Sequence, residues 1–201
     1  MMINDMPKLH SPFVRKMIDK RYVVTPEIDE DFKWVFEDDE VIATEKLDGT
    51  NVSIIIENGK VTRVFNRKNE IQIFGSKQRF IIEGVMNAFD RGYCNFTDGQ
   101  YFGEVIGPKL QKNPLGSKEH LWIPFEKVRK SYSYKSWGKY PKDFDNISTW
   151  FKDDLFSLFV RQRSGKVIKP EGIVFYQPST GKMAKLRVDM FDWFEGKRHR
   201  K

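Results

Sequence analysis

The lysine at position 46 stands where a strand is predicted to end, a place from which a side chain can do chemistry. Residues 41–47 are rich in β-branched types and predict a strand, and Asp48-Gly49 predicts the turn that ends it. Because a strand is rigid, Lys46 should be held toward the cleft that the sheet forms. A lysine amine that has lost its proton is a nucleophile, and nearby cations favour that loss. The alternative is an ordinary surface lysine before a turn.

Four further groups of charged residues follow Lys46, each in or next to a predicted strand. They are Arg67 in Phe65-Asn66-Arg67, Glu104 in the strand 100–106, Glu171 at the start of 171–174, and Lys185 with Arg187 in the last strand. Residues i and i+2 of a strand point the same way, so Lys185 and Arg187 share a face. Carboxylates bind Mg²⁺ or ribose hydroxyls, and cations offset phosphate charge. Taken alone, each residue is better explained by a surface ion pair, but the ordered set predicts a nucleotide cleft.

The strands that position these residues are predicted from alternating or β-branched runs. They cover residues 41–47, 51–57, 60–66, 100–106, 121–128, 172–177 and 182–188. Asn58-Gly59 is a strong hairpin signal between the second and third strands. The turn signal at 178–181 predicts that the last two strands form a second hairpin.

Helices are predicted where apolar residues recur at helical spacing. One covers residues 76–91, with Ile81, Val85 and Phe89 on one face, and a longer one covers 145–163 and is stopped by Gly165. Residues 1–40 are predicted to be an irregular lead-in, with a short helix over 11–18 that begins at Ser11-Pro12.

Composition limits the classes of protein to which the chain can belong. Hydrophobic residues make up 39% of its 201 residues and aromatic residues 14%, which is typical of one folded domain and argues against disorder. No apolar run approaches the roughly 20 residues of a membrane span, and the N-terminus lacks a secretory signal. Cys94 is the single cysteine, which suits a reducing cytoplasm. The histidines lack the spacing of a zinc site.

Charge is unevenly distributed along the chain, whose net charge is +7. Residues 27–48 hold ten acidic and two basic side chains, whereas residues 109–142 hold nine basic and two acidic ones. This basic segment, 109–142, also contains Tyr132, Tyr134, Trp137 and Tyr140, and residues 197–201 add four basic side chains. Cations for phosphates and rings for stacking favour RNA as a partner. The alternative is a solvated, lysine-rich surface.

The order of these motifs resembles that of the covalent nucleotidyltransferase superfamily, which includes ligases and RNA capping enzymes. The sequence is most similar to the phage-type RNA ligase 2 family. The most specific matches are Thr44-Glu-Lys-Leu-Asp-Gly-Thr-Asn51 and Phe102-Gly-Glu-Val-Ile-Gly-Pro108, and the likeness extends over residues 41–189.

The resemblance implies a role for each matched residue. Lys46 resembles the nucleophile that becomes adenylylated, and Glu45 the residue that reads the adenine amino group. Glu171 and Glu104 resemble carboxylates for the divalent metal, and Glu104 also the acceptor for a ribose hydroxyl. The remaining matches are Asp48 among the nucleotide-binding residues, Arg67 near the ribose, Phe125 and Val174 on the two faces of adenine, and Lys185 and Arg187 on the α-phosphate. Trp122 lies three residues before Phe125 on the same predicted strand, so it should face the core.

The resemblance implies an α+β fold: one ATP-grasp-like nucleotidyltransferase domain over residues 1–201, with antiparallel sheets around a nucleotide cleft and helices outside. It also implies an ATP-dependent RNA ligase that uses Mg²⁺ or Mn²⁺. Such an enzyme joins RNA 5′-phosphate and 3′-hydroxyl ends through lysyl-AMP. We expect a phage-like, monomeric enzyme of RNA repair that acts in the cytoplasm.

Two alternatives are a DNA ligase or GTP-using capping enzyme, and a non-catalytic RNA-binding module of the same fold. The first is disfavoured because only about 14 residues follow the last motif, where such enzymes have an OB domain. The second is disfavoured because a binding module has no need of Lys46 together with its carboxylates. Two residues depart from the family pattern: Asp48 stands where the closest RNA ligases often have histidine, and Arg187 replaces the more usual second lysine.

Overall fold

The computed structural model describes residues 3–72, 74 and 77–196. Its strands are β1 (Phe13–Ile18), β2 (Arg21–Ile28), β3 (Ile42–Lys46), β4 (Thr50–Glu57), β5 (Lys60–Asn66), β6 (Asn69–Glu70), β7 (Gly99–Ile106), β8 (Leu121–Pro124), β9 (Gly172–Tyr176) and β10 (Met183–Arg187). Its α-helices are α1 (Trp34–Glu37), α2 (Arg79–Asp90), α3 (Phe125–Ser131), α4 (Phe144–Thr149) and α5 (Leu158–Ser164). No helix in this part of the chain has the length and apolar character needed to cross a membrane.

The chain divides into two compact units. Unit 1 comprises the described residues up to Lys8 together with Leu47–Ser131, and unit 2 comprises Leu9–Lys46 together with the described residues from Tyr132 onward. The predicted α+β class with antiparallel sheets is confirmed, since every pair of neighbouring strands runs antiparallel.

Unit 1 is built on a five-stranded sheet with the order β6-β5-β4-β7-β8. Asn58 and Gly59 both have positive φ, 52° and 70°, which gives the tight turn between β4 and β5. Helix α2 packs against β7 and β8 and buries Ile81, Val85 and Ala88. The predicted apolar face of this helix is therefore confirmed at two positions, while Phe89 is half-buried.

Unit 2 contains a three-stranded sheet with the order β10-β9-β3 and a separate hairpin of β1 and β2. One face of the three-stranded sheet is apolar and lies in the core of the unit. The core residues from this face are Ala43, Ile173, Phe175, Ala184 and Leu186. They pack with Phe13, Phe151 and Phe191, so the opposite face of the sheet is left for charged side chains.

The strands predicted on either side of Asp48-Gly49, Asn58-Gly59 and the turn at 178–181 are confirmed to within one or two residues. The predicted lead-in over residues 1–40 is wrong in part, because residues 13–18 form strand β1 instead of a helix. Asp19 and Lys20 both have positive φ, 47° and 63°, and turn the chain so that β1 pairs with the β-branched strand β2. An Asp-Lys pair is not among the usual hairpin signals, so the turn could not be read from the sequence.

The strand predicted over 121–128 ends at Pro124, and Phe125 begins helix α3. Proline donates no backbone hydrogen bond to a ladder, and the ion pair of Glu126 with Lys130 at spacing i, i+4 supports the helix. Trp122 and Phe125 therefore do not share a strand, and the prediction that they face opposite sides of one strand is wrong.

The single helix predicted over 145–163 is also wrong, because it is divided into α4, a π-helical turn at Trp150–Asp154, and α5. Ser157 caps α5 by accepting a hydrogen bond from the Val160 N–H, and the predicted stop at Gly165 is confirmed at φ 70°. The apolar spacing could not reveal the break, because Leu155 and Phe159 are buried on either side of it. The predicted helix start at Ser76 and the basic residues 197–201 lie outside the described residues.

We expect Trp122→Ala to lower the free energy of unfolding by about 3–5 kcal/mol, the range for truncating a buried aromatic side chain. Trp122 is fully buried, and its indole N–H donates a hydrogen bond to the Val52 carbonyl oxygen at 3.1 Å. Urea unfolding followed by circular dichroism measures the loss. Tyr140→Ala, at a side chain that is 71% exposed, is the control and should change stability by less than about 0.5 kcal/mol. Equal losses in the two variants would contradict the assignment of Trp122 to the core.

Candidate active site

The register of the three-stranded sheet in unit 2 places four predicted site residues on one face. Lys185 of β10 lies beside Val174 of the central strand β9. One row along, Gly172 lies between Lys46 and Arg187. Paired residues and residues i, i+2 project from the same side of a sheet, so Lys46, Val174, Lys185 and Arg187 share a face. The structure thus brings together these residues of unit 2.

Glu171 joins two cations of this face through buried ion pairs. Its Oε2 accepts a hydrogen bond from Lys46 Nζ at 2.5 Å, and its Oε1 lies 3.7 Å from Arg187 NH1. The side chain of Glu171 is 2% exposed, and those of Lys46 and Arg187 are 13% and 14% exposed. Charges this poorly hydrated must be matched by partners, so the three groups hold one another in place.

Gly172 is the residue that allows this arrangement. A Cβ atom at this position would lie 2.2 Å from the Leu186 carbonyl oxygen and 2.6 Å from the Arg187 Cα. No side chain therefore fits, and the row between Lys46 and Arg187 is left clear. In the predicted motif Glu171-Gly172, the glutamate supplies the carboxylate and the glycine leaves room between the strands that carry Lys46 and Arg187.

Glu45 points to the opposite face of β3 from Lys46. It is 1% exposed, and its two carboxylate oxygens accept hydrogen bonds from the Ser157 hydroxyl at 2.5 Å and from the Phe159 N–H at 2.8 Å. Burial raises the pKa of Glu45 to about 7, although both hydrogen bonds act in the opposite direction. In this structure the Glu45 carboxylate fastens the nucleophile strand to the start of α5, and its role in reading adenine stays a prediction.

Asp48 and Glu104 are the two predicted carboxylates of unit 1, and both are buried. Glu104 lies on β7 between Asn51 of β4 and Ile123 of β8. A Cβ atom at Gly49 would lie 2.2 Å from the Val105 carbonyl oxygen and 3.0 Å from Glu104 Cγ. Glycine therefore lets the Asp48-Gly49 turn pack directly against the strand that carries Glu104.

Arg67 and Phe125 are also in unit 1. Arg67 follows β5 with a positive φ of 57°, and its NH1 donates a hydrogen bond to the Met6 carbonyl oxygen. It also lies 3.7 Å from an Asp5 carboxylate oxygen and is half exposed, so the resting side chain contacts the N-terminal segment. Phe125 is half-buried at the first position of α3.

Sequence reasoning assigned no role to Asp189, which extends the ion-pair cluster of unit 2. Arg187 Nε lies 3.0 Å from Asp189 Oδ1, and the Asp189 side chain is 6% exposed. The signal was present, because Lys185, Arg187 and Asp189 recur at every second residue. No group of three or more His, Cys, Asp or Glu side chains in the described part of the chain is arranged to hold a metal ion.

The RNA ligase family model matches residues 39–187, about three quarters of the chain, and includes every site residue predicted from the sequence.

The chain belongs to the RNA ligase family.

Solved structures of a Naegleria gruberi RNA ligase share the fold. A complex with PPi matches with a TM-score of 0.53 at 14% identity, over 92% of this chain and 61% of that one. A variant complex with ATP and Mn matches with a TM-score of 0.52 at 16% identity, over 89% of this chain and 59% of that one. The chain thus spans about three fifths of the length of these ligases. Curated proteins include no match to it.

The basic segment 109–142 of this RNA ligase family member exposes fewer aromatic rings for base stacking than predicted. Tyr132 and Tyr134 are buried, 4% and 7% exposed, because the backbone between them pairs with β3 at Thr44. Trp137 is half-buried and stacks on Trp150, whereas Tyr140 is 71% exposed. The expectation that both buried tyrosines stack on bases is therefore wrong.

We expect the stability of the protein to fall as pH rises from about 4.5 to 7 through the contribution of Glu45. The folded state keeps the proton of this carboxyl up to about pH 7, whereas the unfolded state loses it near 4.5. Folded molecules therefore bind more protons within this window, and the contribution is on the order of 3 kcal/mol.

The variant Glu45→Gln should remove this part of the slope, so its stability relative to wild type should be greater at pH 8 than at pH 5. Urea unfolding at both pH values measures the difference. Glu40→Gln, at an exposed carboxyl of the same unit, is the control. An unchanged pH slope in Glu45→Gln would show that the buried carboxyl has an ordinary affinity for protons.

Proposed function

We propose that this protein is an ATP-dependent RNA ligase that joins a 5′-phosphate to a 3′-hydroxyl through lysyl-AMP. The observation that supports it most strongly is the poorly hydrated lysine of the unit 2 sheet, which is paired with Glu171 and shares its face of the sheet with two cations. The family match gives the reaction class. An N. gruberi RNA ligase of the same fold has been solved with ATP and Mn, which supports both ligands here.

The first step is nucleotidyl transfer to Lys46. The amine gives up a proton, for which the Glu171 carboxylate at 2.5 Å is the nearest acceptor. Nζ then attacks the α-phosphorus, an N–P bond forms, the bond between α-phosphorus and bridging oxygen breaks, and pyrophosphate leaves. Negative charge on the α-phosphate and the leaving group is offset by Lys185 and Arg187, which share the face of Lys46.

The proposal assigns the remaining contacts of ATP by the family resemblance. Val174 and Phe125 would pack on the two faces of adenine, and Glu104 would accept a ribose hydroxyl. Arg67 would exchange the Met6 carbonyl oxygen for a phosphate. Asp48 would also contact the nucleotide.

Mg²⁺ or Mn²⁺ fits this chemistry, because Glu171 offers a hard oxygen ligand and the phosphates of ATP would supply others. When bound, the metal would offset charge on the phosphates. Of the two predicted metal carboxylates, Glu171 has the stronger support, since its Oε1 is buried and accepts no hydrogen bond in the described part of the chain. Glu104 remains a proposed second ligand.

Two further steps complete the ligation. An oxygen of the RNA 5′-phosphate attacks the phosphorus of lysyl-AMP, the N–P bond breaks, and AMP becomes linked to the RNA end. The 3′-hydroxyl of the second end then attacks the RNA 5′-phosphate, a phosphodiester bond forms, and AMP leaves with the electron pair of the broken bond. We place this activity in RNA repair in the cytoplasm, by a monomer of phage-like type.

Incubation with α-labelled ATP and Mg²⁺ should give a protein that keeps its label on a denaturing gel. Lys46→Ala should abolish the label, because it removes the attacking nitrogen, whereas Lys60→Ala, at an exposed lysine, should not. Persistence of wild-type labelling on Lys46→Ala would contradict the assignment of the nucleophile. Labelling by GTP in place of ATP would favour a capping-type enzyme.

We also propose that the basic segment 109–142 binds RNA. Changing Lys127, Arg129, Lys130 and Lys135 to glutamine should weaken RNA binding and lower the slope of log affinity against log salt by up to about three units, since each lost phosphate contact removes roughly 0.7–0.9. Fluorescence anisotropy of a labelled RNA at several salt concentrations measures both quantities.

Labelling of Lys46 should survive these four changes. The control changes four exposed lysines outside the segment, at positions 60, 152, 166 and 182, to glutamine and so alters net charge equally. Equal effects of the two quadruple variants would mean that the segment is an ordinary solvated surface.

A further inference from the structure

The buried ion-pair cluster of unit 2 contains one member for which the proposed reaction has not accounted. Lys46, Glu171 and Arg187 have assigned roles, whereas Asp189, within the described part of the chain, contacts the cluster through Arg187. The four groups carry two positive and two negative charges, so the cluster is neutral as a whole. Any effect of Asp189 on the cluster therefore acts through the guanidinium of Arg187.

Asp189 lies in a short 3₁₀ turn that directly follows β10, at Val188–Met190. The Val188 N–H donates a hydrogen bond to the Glu171 carbonyl oxygen at 3.0 Å, and Val188 and Met190 are buried in the core. The backbone that carries Asp189 is thus fixed against the backbone of Glu171. Because of this anchoring, the carboxylate of Asp189 is a rigid support.

The contact between Asp189 and Arg187 involves Nε and does not use the two terminal nitrogens of the guanidinium. Nε lies 3.0 Å from Oδ1, while the terminal NH1 is directed toward Glu171 at 3.7 Å. A guanidinium is planar, so a charged carboxylate beside Nε limits the orientations of the plane in which both terminal nitrogens lie. Lysine, the more usual residue at position 187 in the family pattern, has no planar group whose orientation a neighbouring carboxylate could set.

Asp189 is also unusual in its hydrogen bonding. Both of its carboxylate oxygens are inaccessible to solvent, and neither accepts a hydrogen bond of good geometry within the described residues. The atoms of the Arg187–Asp189 pair are close but poorly aligned. Burying a carboxylate without hydrogen bonds lowers the stability of the fold, so such a group in a native structure calls for an explanation.

We propose that Asp189 is a positioning residue for nucleotidyl transfer: it orients the Arg187 guanidinium so that its terminal nitrogens meet the α-phosphate beside Lys46. This inference rests on the proposed function. A misoriented cation still attracts ATP but stabilises the transition state less, so the loss should fall on kcat, with KM for ATP changed by less than about threefold.

The test is a double-mutant cycle between positions 187 and 189, with the rate of lysyl-AMP formation as the readout. In the protein with Arg187, Asp189→Asn should lower kcat roughly ten- to hundredfold. In the Arg187→Lys background the same change should alter kcat by less than about threefold, since a lysine has no plane to orient. Asp192→Asn, at an exposed carboxyl nearby, is the matched control and should leave kcat unchanged.

A merely structural role for Asp189 would lower kcat by the same factor in both backgrounds, in parallel with the melting temperature, and would overturn the proposal. No loss in the Arg187 protein would overturn it as well. If Asp189→Asn does not fold, the cycle is run with Asp189→Glu, which keeps the charge but displaces the carboxylate, and the same dependence on residue 187 is expected. Absence of any label on wild-type protein would mean that the proposed function has failed, and this inference with it.

Discussion

The buried ion pair between Lys46 and Glu171 is the interaction on which the rest of unit 2 depends. Removing two charges from water is expensive, and the 2.5 Å contact offsets that cost only while both partners are held in place. Strand β9 holds Glu171 from one side, and Arg187 with Asp189 completes a neutral cluster on the other. Loss of one member would leave a buried charge uncompensated. The sheet therefore keeps Lys46 mostly buried beside the Glu171 carboxylate.

One face of the same sheet carries the charged site residues and the other forms the apolar core. Glu45 lies on the core face, directly next to the nucleophile in sequence. Residues of alternate parity along β3, β9 and β10 supply either charged groups or the apolar core. Glu45 is the exception, a carboxyl on the core side that receives the Ser157 hydroxyl and the Phe159 N–H. It thereby ties the strand of the nucleophile to α5. A residue adjacent to the nucleophile thus contributes through its buried contacts.

The sequence predicted the parts of the fold that depend on local signals. Asn58-Gly59 located the hairpin between β4 and β5, and the alternation of Lys185 and Arg187 placed both on one face. The parts it missed depend on distant partners: the break before α5 is stabilised by Glu45, more than 100 residues earlier in the chain, and Asp189 has a role only because Arg187 meets Glu171. Local patterns contain no information about such pairings. Family resemblance supplied the reaction, but it gave no sign that Glu45 is buried against Ser157 and Phe159.

Tandem mass spectrometry of the protein after incubation with ATP and Mg²⁺ tests the central claim most directly. An adenylylated Lys46 resists trypsin, so the account predicts a peptide of residues 34–60 that retains an uncleaved Lys46 and carries one AMP on it. Digestion at neutral pH without acid treatment preserves the N–P bond. The same peptide should be cleaved at Lys46 when ATP is omitted. AMP on any other side chain, or complete cleavage at Lys46 in protein that retains AMP, would contradict the account.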